Sequence, residues 1–224
     1  MERNPFAPKF DDLPPVLPIF PLTGVLLLPG GQLPLNIFEP RYLDMINAAL
    51  ATSNRLIGMI QTNPMQAARS KTEKTPLHKV GCAGKITEFC ETSDGRYMIN
   101  LTGVARFAIK EELSATSRYR QIAPDWSPFQ DDLQSQACLG LNRDHLHDLL
   151  KEYFAKESLD CDWSAVESTS DSKLITCLSM ICPFDALEKQ ALLEAECNVT
   201  RGKMFIAMLE MALSINKNRI DTQH

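Results

Sequence analysis

The sequence predicts an α+β chain in which the strands come first and the helices after. Two observations carry this. Between residues 16 and 126, short apolar runs are cut by Pro and Gly, and the two longest flank an Asp94-Gly95 turn signal. Beyond residue 130 the apolar residues recur at helical spacing and strand signals fade. The division that follows is a leader over 1–15, a β-rich unit over 16–128, a helical unit over 129–216 and a tail over 217–224.

Taken in order, residues 1–15 are rich in Pro, Asp and charge and read as an extended leader. Val16 to Leu22 and Val25 to Leu28 read as strands broken at Thr23-Gly24. Pro18 and Pro21 restrict the first of these to an edge or to irregular pairing. Pro29-Gly30-Gly31 is a turn, and Leu33 to Ile37 is a third strand. Pro40 suits the first turn of a helix, where its missing N–H costs nothing. Tyr42, Leu43, Ile46, Ala49 and Leu50 then repeat at helical spacing, and Leu56 to Ile60 is a short buried strand. Gln61 to Lys79 has no period and reads as a long exposed loop.

Val80 to Glu91 and Tyr97 to Lys110 form the strongest strand pair, joined through Asp94-Gly95, a type I′ hairpin signal. Gly81, Gly84 and Gly103 within it mark bulges or close backbone approach. Tyr119 to Trp126 is a last strand. In the helical half, His145, Leu146, Leu149, Leu150, Tyr153 and Phe154 mark one helix, and Leu174, Ile175, Leu178 and Ile181 a second, which Pro183 ends. Asp185 and Glu188 suit a helix start whose face is lined by Leu187, Ala191 and Leu192. Thr200 suits the cap of a final helix carrying Met204, Phe205, Met208, Leu209, Met211 and Leu213.

The 224 residues are 44% apolar, enough for a core without staples. A net charge of -5 speaks against a general nucleic-acid binder. No apolar run approaches the ~20 residues of a membrane span, and the N-terminus lacks a signal-peptide layout, so the expected compartment is the cytoplasm. There the seven cysteines are expected as reduced thiols. No Cys-x-x-Cys or His-Glu-x-x-His occurs, so no metal or other cofactor is expected. His145 and His147, two apart on a helix, point to different faces. The phosphate-loop pattern and the Gly-x-Ser-x-Gly elbow are both absent, which predicts neither ATP hydrolysis nor serine hydrolysis and no enzyme activity.

Leu17-Pro18-Ile19-Phe20-Pro21-Leu22, the Phe38-Glu39-Pro40-Arg41-Tyr42 segment and Ile99-Asn100-Leu101-Thr102-Gly103-Val104-Ala105-Arg106-Phe107 stand in an order and spacing that resemble the N-terminal domain of Lon-type proteases. Gly81-Cys82-Ala83-Gly84-Lys85-Ile86 agrees with it, as more weakly do Pro183-Phe184 and Glu188-Lys189-Gln190-Ala191-Leu192-Leu193-Glu194. The resemblance implies a pseudo-barrel like that of PUA domains followed by a helical bundle. In Lon this domain precedes an ATPase and a protease, whose motifs are not found here, so the chain resembles a stand-alone member. The family implies a role in recognising unfolded substrates. Cereblon, a ubiquitin-ligase substrate receptor, contains a related domain.

The expected function is therefore a non-catalytic, polypeptide-binding or adaptor module for unfolded or exposed apolar segments, with a separate protease as a further partner. In that reading a segment adds beside the irregular first strand through main-chain hydrogen bonds. Its side chains enter a groove between barrel and first helix walled by Phe20, Phe38, Tyr42 and Met45. Arg41 has two readings. It donates to a peptide carboxylate or carbonyl, or it ties its helix to a neighbouring loop while Glu39 caps the helix start. The second predicts a loss of about 1–3 kcal/mol in Arg41→Ala, with Arg41 and Arg106 in one buried network. The alternative function is an RNA-binding PUA-like module using the basic loop with Arg69, Lys71, Lys74 and Lys79, although Glu73 interrupts it and aromatics for base stacking are few. The methionines of the last helix are either a flexible binding stripe or core.

Overall fold

The computed structural model describes residues 9–67, 75–114, 117–134 and 140–220. Six strands, β1 (Leu17–Pro21), β2 (Gln32–Ile37), β3 (Leu56–Ile60), β4 (Val80–Glu91), β5 (Tyr97–Glu112) and β6 (Gln121–Asp125), precede a helical half. Helix α1 (Pro40–Leu50) and the single turn α2 (Pro64–Ala67) interrupt the strands. After a 3₁₀ stretch at Ser127–Leu133 come α3 (Arg143–Glu157), α4 (Trp163–Ser168), α5 (Asp171–Ile181), α6 (Ala186–Glu194) and α7 (Asn198–Ile220). The chain is thus α+β, strands first. Helix α4 is too short to announce itself by period, and α7 continues into the stretch read as a tail.

The sheet runs β2-β5-β4-β3-β1-β6, and β6 pairs again with the far half of β5, closing a barrel. Among the described strands only β1 and β3 pair in parallel. Two cores result. Leu17, Ile19, Leu56, Ile60, Ala83, Phe107, Ile122 and Trp126 fill the barrel. The opposite faces of the same strands, with Phe20, Ile57, Met59 and Cys82, join α1 and the helical bundle in one larger core. Strand β3 is buried at every residue because both of its faces are covered.

Strand β1 is interior, flanked by β3 and β6, not the edge its prolines predict. Its two partners engage different ends. Ile19 donates to Arg120 O on the β6 side (3.0 Å) and Leu22 to Ile60 O on the β3 side (2.9 Å). By alternation, Pro18 faces β3 before that pairing begins and Pro21 faces β6 after that pairing ends, so neither missing N–H breaks a ladder bond. The free edge belongs to β2, which overturns main-chain addition beside β1. On β2, Gly103 N–H donates to Gly31 O, so alternation turns Gln32, Pro34 and Asn36 outward, and Pro34 blunts that edge.

Val25 to Leu28 forms no strand, although Leu26, Leu27 and Leu28 are buried. Gly103 explains the arrangement: a side chain there would collide with the Leu28 carbonyl, so loop and β5 pack backbone to backbone. The β4–β5 connection is not type I′. Gly95 has φ +78° while Asp94 keeps a negative φ, and Gly95 N–H reaches Thr92 O (3.0 Å). This is a turn closed by one left-handed glycine, the form used by loops of three residues.

Helix α6 has the predicted capping box, with Asp185 accepting from Glu188 N–H and Glu188 accepting from Asp185 N–H (both 2.8 Å). Its buried face differs from the expected Leu187, Ala191, Leu192 stripe. Leu187 is exposed, while Lys189 and Gln190 are buried against the barrel. Lys189 Nζ donates to Gly24 O (3.0 Å), and Gln190 Nε2 donates to Val80 O (3.1 Å). Gln61 Nε2 donates to Ala186 O (2.9 Å) across the same seam. Helix α7 begins at Asn198, so Thr200 lies in its first turn rather than at its cap. In α7, Phe205, Leu209 and Leu213 are buried and Met211 is exposed.

The seam is fastened by Arg106 of β5, whose side chain is 4% exposed. Its Nε and Nη2 donate to Asp132 (2.8 Å each), and its Nη1 donates to Leu193 O (3.1 Å) and Ala195 O (2.5 Å) at the end of α6. Asp132 also accepts from the Arg106 backbone N–H (2.9 Å). Replacing Asp132 by Ala strands this guanidinium in the interior. The expected loss of stability is about 3–5 kcal/mol, read by urea denaturation at neutral pH.

Candidate functional site

Helix α1 is set against the barrel by Tyr42, Met45, Ile46 and Ala49, all buried. Its start is closed by the Glu39 carbonyl, which accepts from Tyr42 N–H (2.9 Å) and Leu43 N–H (3.0 Å), and Pro40 occupies the first turn. The helix leaves a groove along the flank facing the segment that enters β6. The groove has two compartments that share Tyr119 as a wall.

The first compartment, about 360 Å³, lies at the start of α1. Its walls are Arg41 and Tyr42, Pro21 at the end of β1, Thr62 and Thr75, and the triplet Arg118-Tyr119-Arg120. The second, about 330 Å³, lies along the later turns of α1. Pro14, Val16, Pro18, Ala48, Ala49 and Leu56 make it largely apolar, with Thr52, Asn54 and Gln121 at its margins. Both volumes fall at the small end of the usual range for ligand sites, about 300–1,000 Å³.

The expected groove between barrel and first helix is therefore present, but most of its expected walls are elsewhere. Met45 is 0% exposed and belongs to the core, so it walls no open groove. Phe20 is buried with its ring against Tyr42 (4.2 Å between centroids). Phe38 is 62% exposed but sits beside Arg96 (5.8 Å) near the β4–β5 turn, outside the groove walls. Tyr42 and Arg41 do line it. The residues the sequence reading missed are Arg118, Tyr119, Arg120 and Ala48. The basic–aromatic–basic triplet ahead of a strand is the signal that marks the first three.

Arg41 does not tie its helix to a loop. Its Nε and Nη2 return to Glu39 Oε2 (2.9 and 2.7 Å), and its guanidinium lies over the Tyr42 ring (4.5 Å). The Glu39 side chain makes no capping bond. Arg41 is half-exposed and Arg106 is buried with Asp132, so the two do not share one network. Arg120 is held more tightly. Its Nε and Nη2 donate to Glu112 (3.1 and 2.6 Å) and its Nη1 to Thr75 O (2.8 Å). Arg118 is largely solvated, with Asp44 at 3.8 Å. Burial pushes the Tyr42 hydroxyl above its ordinary pKa, with Arg41 opposing that shift, so the group stays a hydrogen-bond donor at neutral pH.

Of the basic loop, Lys79 is exposed, while Arg69, Lys71 and Lys74 lie outside the described residues. The histidines of α3 do diverge: His145 pairs with Glu210 (2.9 Å), and His147 packs edge-on against Trp163 (5.1 Å). Among the described residues no cluster of His, Cys, Asp and Glu could hold a metal. No helix among them is long and apolar enough to cross a membrane.

A six-stranded sheet, five of whose strands close a barrel, followed by a half with five described helices and with a groove beside the long helix of the barrel, defines a known class of domain. Residues 16–211 match the family model of the ATP-dependent protease La (Lon) substrate-binding domain, and the chain belongs to that family. It is 28% identical over 188 residues to a Lon protease of Flavobacterium johnsoniae, covering 82% of this chain and 22% of the relative. It is 24% identical over 216 residues to Lon protease 2 of Myxococcus xanthus, covering 95% and 26%. The chain thus spans about a quarter of the length of these relatives. Among solved structures it is similar to a Lon N-terminal domain protein from Xanthomonas campestris, with TM-score 0.58, 21% identity, and 86% of this chain and 97% of that one covered. The N-terminal domain of Mycobacterium avium complex Lon protease gives TM-score 0.61 at 17% identity, covering 87% and 98%.

The Arg41 geometry reverses the stability expected of its removal. An exposed pair with a neighbour two residues away contributes about 0–1 kcal/mol. Arg41→Ala is expected to melt within about 2–4 °C of the wild type in a calorimetric scan.

Proposed function

We propose that this chain binds extended segments of other polypeptides in the groove along α1. The observation that carries the reading is the pair of adjoining compartments, one apolar and one rimmed by donors, joined at Tyr119. An extended segment rises ~3.3 Å per residue and points alternate side chains to one face, so i and i+2 lie about 7 Å apart. Two hollows that share one wall suit such a repeat. Pro14, Val16, Pro18 and Ala48 receive an apolar side chain, and Tyr119 offers a rigid ring to the segment between.

Family membership supports a substrate-binding role. The finer reading, recognition of unfolded or exposed apolar segments, rests on the apolar compartment. Its relatives are Lon proteases, so segments held here are destined for proteolysis, with the chain as the capturing part or as an adaptor. The role is binding without chemistry: the walls offer arginine, tyrosine, threonine, proline and small apolar residues. Two small hollows bury little area, and affinity for one segment is expected in the micromolar range, about -8 kcal/mol.

Ala48 tests the site cleanly because it is an exposed helix position. Ala48→Trp fills the apolar compartment at a helix-propensity cost of about 0.5 kcal/mol. Fluorescence anisotropy with a reduced, alkylated protein kept unfolded in solution is expected to show wild-type binding that changes little with salt and falls at least about tenfold in the variant. Binding that survives Ala48→Trp refutes the groove. Tight RNA binding that drops steeply with salt would instead support the nucleic-acid alternative.

A further inference from the structure

We propose that the compartment at the start of α1 is a carboxylate receptor, taking the carboxylate of an acidic side chain or of a chain end in the bound polypeptide. This rests on the groove reading above and adds the chemical group that one end of the groove selects.

Three arginines, two tyrosines and two threonines line it. Arg120 is oriented before any ligand arrives, because Glu112 and Thr75 O hold three of its N–H groups and leave others uncommitted. Arg41 commits Nε and Nη2 to Glu39 and leaves Nη1. Arg118 is largely solvated, and its 3.8 Å approach to Asp44 is beyond hydrogen-bond distance, so it lines the compartment with its donors uncommitted to protein among the described residues. Tyr42 is 6% exposed as a residue, lines the compartment, and its ring lies under the Arg41 guanidinium (4.5 Å). Arg41 and Arg120 line the same compartment as Tyr42. The Tyr42 hydroxyl is a further donor that a carboxylate oxygen in the compartment can use.

The charge count favours a single carboxylate over a polyanion. Among the described residues Glu39, Asp44 and Glu112 stand behind the three arginines, so these walls offer oriented donors with little surplus positive charge. The whole chain carries -5. A phosphate backbone needs a field that accumulates over many contacts. One carboxylate needs only two or three aligned N–H or O–H donors, and the planar fork of an arginine supplies them in pairs.

The test uses the full chain and three fluorescein-labelled peptides about eight residues long, of alternating Leu and Ser, long enough to span both compartments. One carries an internal Asp and an amidated end. One carries Asn and a free C-terminal carboxylate. One carries Asn and an amidated end. The expected result is that one charged peptide binds at least about tenfold tighter than the neutral one. Arg41→Gln combined with Arg118→Gln should erase most of that ratio, with an unchanged melt. Which charged peptide gains identifies side chain or chain end as the source. Equal affinities for all three peptides would overturn the carboxylate receptor and leave the groove standing. A ratio that persists in the double variant would also overturn it, because the carboxylate is then read elsewhere. Failure of every peptide to bind would sink both readings.

Discussion

The seam between barrel and bundle depends on one buried arginine. The last carbonyls of α6 point into the protein, where water cannot reach them, and a helix end buried without donors is unstable. Arg106 of β5 supplies donors to Leu193 O and Ala195 O, and Arg201 of α7 supplies one to Leu192 O (2.8 Å). Two guanidinium groups so close repel each other. Burial first, then Arg106, pulls the Arg201 pKa down to about 10. Asp132 holds the cluster together by taking three bonds from Arg106 alone. Such a network costs desolvation that its Coulomb attraction barely offsets. Its return is orientation: strand, 3₁₀ segment and two helices meet at one point in one way.

That fixed orientation determines which surfaces stay open. The bundle covers the barrel on the side of the larger core, and α1 packs into the same core with one face. Its flank toward β6 is left as the groove. The groove walls are themselves anchored in the sheet. The Arg120 carbonyl accepts from Ile19 N–H of β1, so its side chain leaves a backbone that cannot shift without breaking the barrel. Glu112 comes from β5, on the strand that also carries Arg106. A binding face built from strand ends and a packed helix is preorganised, and less of its interaction energy is lost to ordering on binding.

The strand–helix order, the extent of β3 and β4, the start of α1 and the capping box of α6 were legible because each is a local signal: period, proline at a first turn, reciprocal acidic caps. What failed was non-local. The apolar run at Leu26 to Leu28 looks like a strand, and only the missing side chain of Gly103 on a distant strand turns it into a packed loop. Pro18 and Pro21 read as edge markers, yet each falls where its partner strand is not engaged. Leu187 looks like core and Gln190 like surface, but the seam has polar carbonyls to satisfy and reverses them. At the site, Tyr42 and Arg41 were visible at the helix start. Tyr119 and Arg120 were hidden inside a strand assignment and Arg118 stood just ahead of it, because nothing in sequence says that barrel closure brings the entry to β6 beside α1.

Tyr42 joins the scaffold to the site, and this governs how the groove can be dissected. Its ring packs at a tilt against Phe20 within the core, while the residue also lines the arginine compartment. Removing it would open a cavity in the core, costing about 3–5 kcal/mol for an aromatic, and any lost binding could be put down to that. Arg41, Arg118 and Ala48 are different. They stand on the surface, they bury no core, and each belongs to one compartment. The groove is therefore separable in its parts: its rim can be altered without loosening the barrel, and its buried walls, Tyr42, Ala49 and Leu56, cannot.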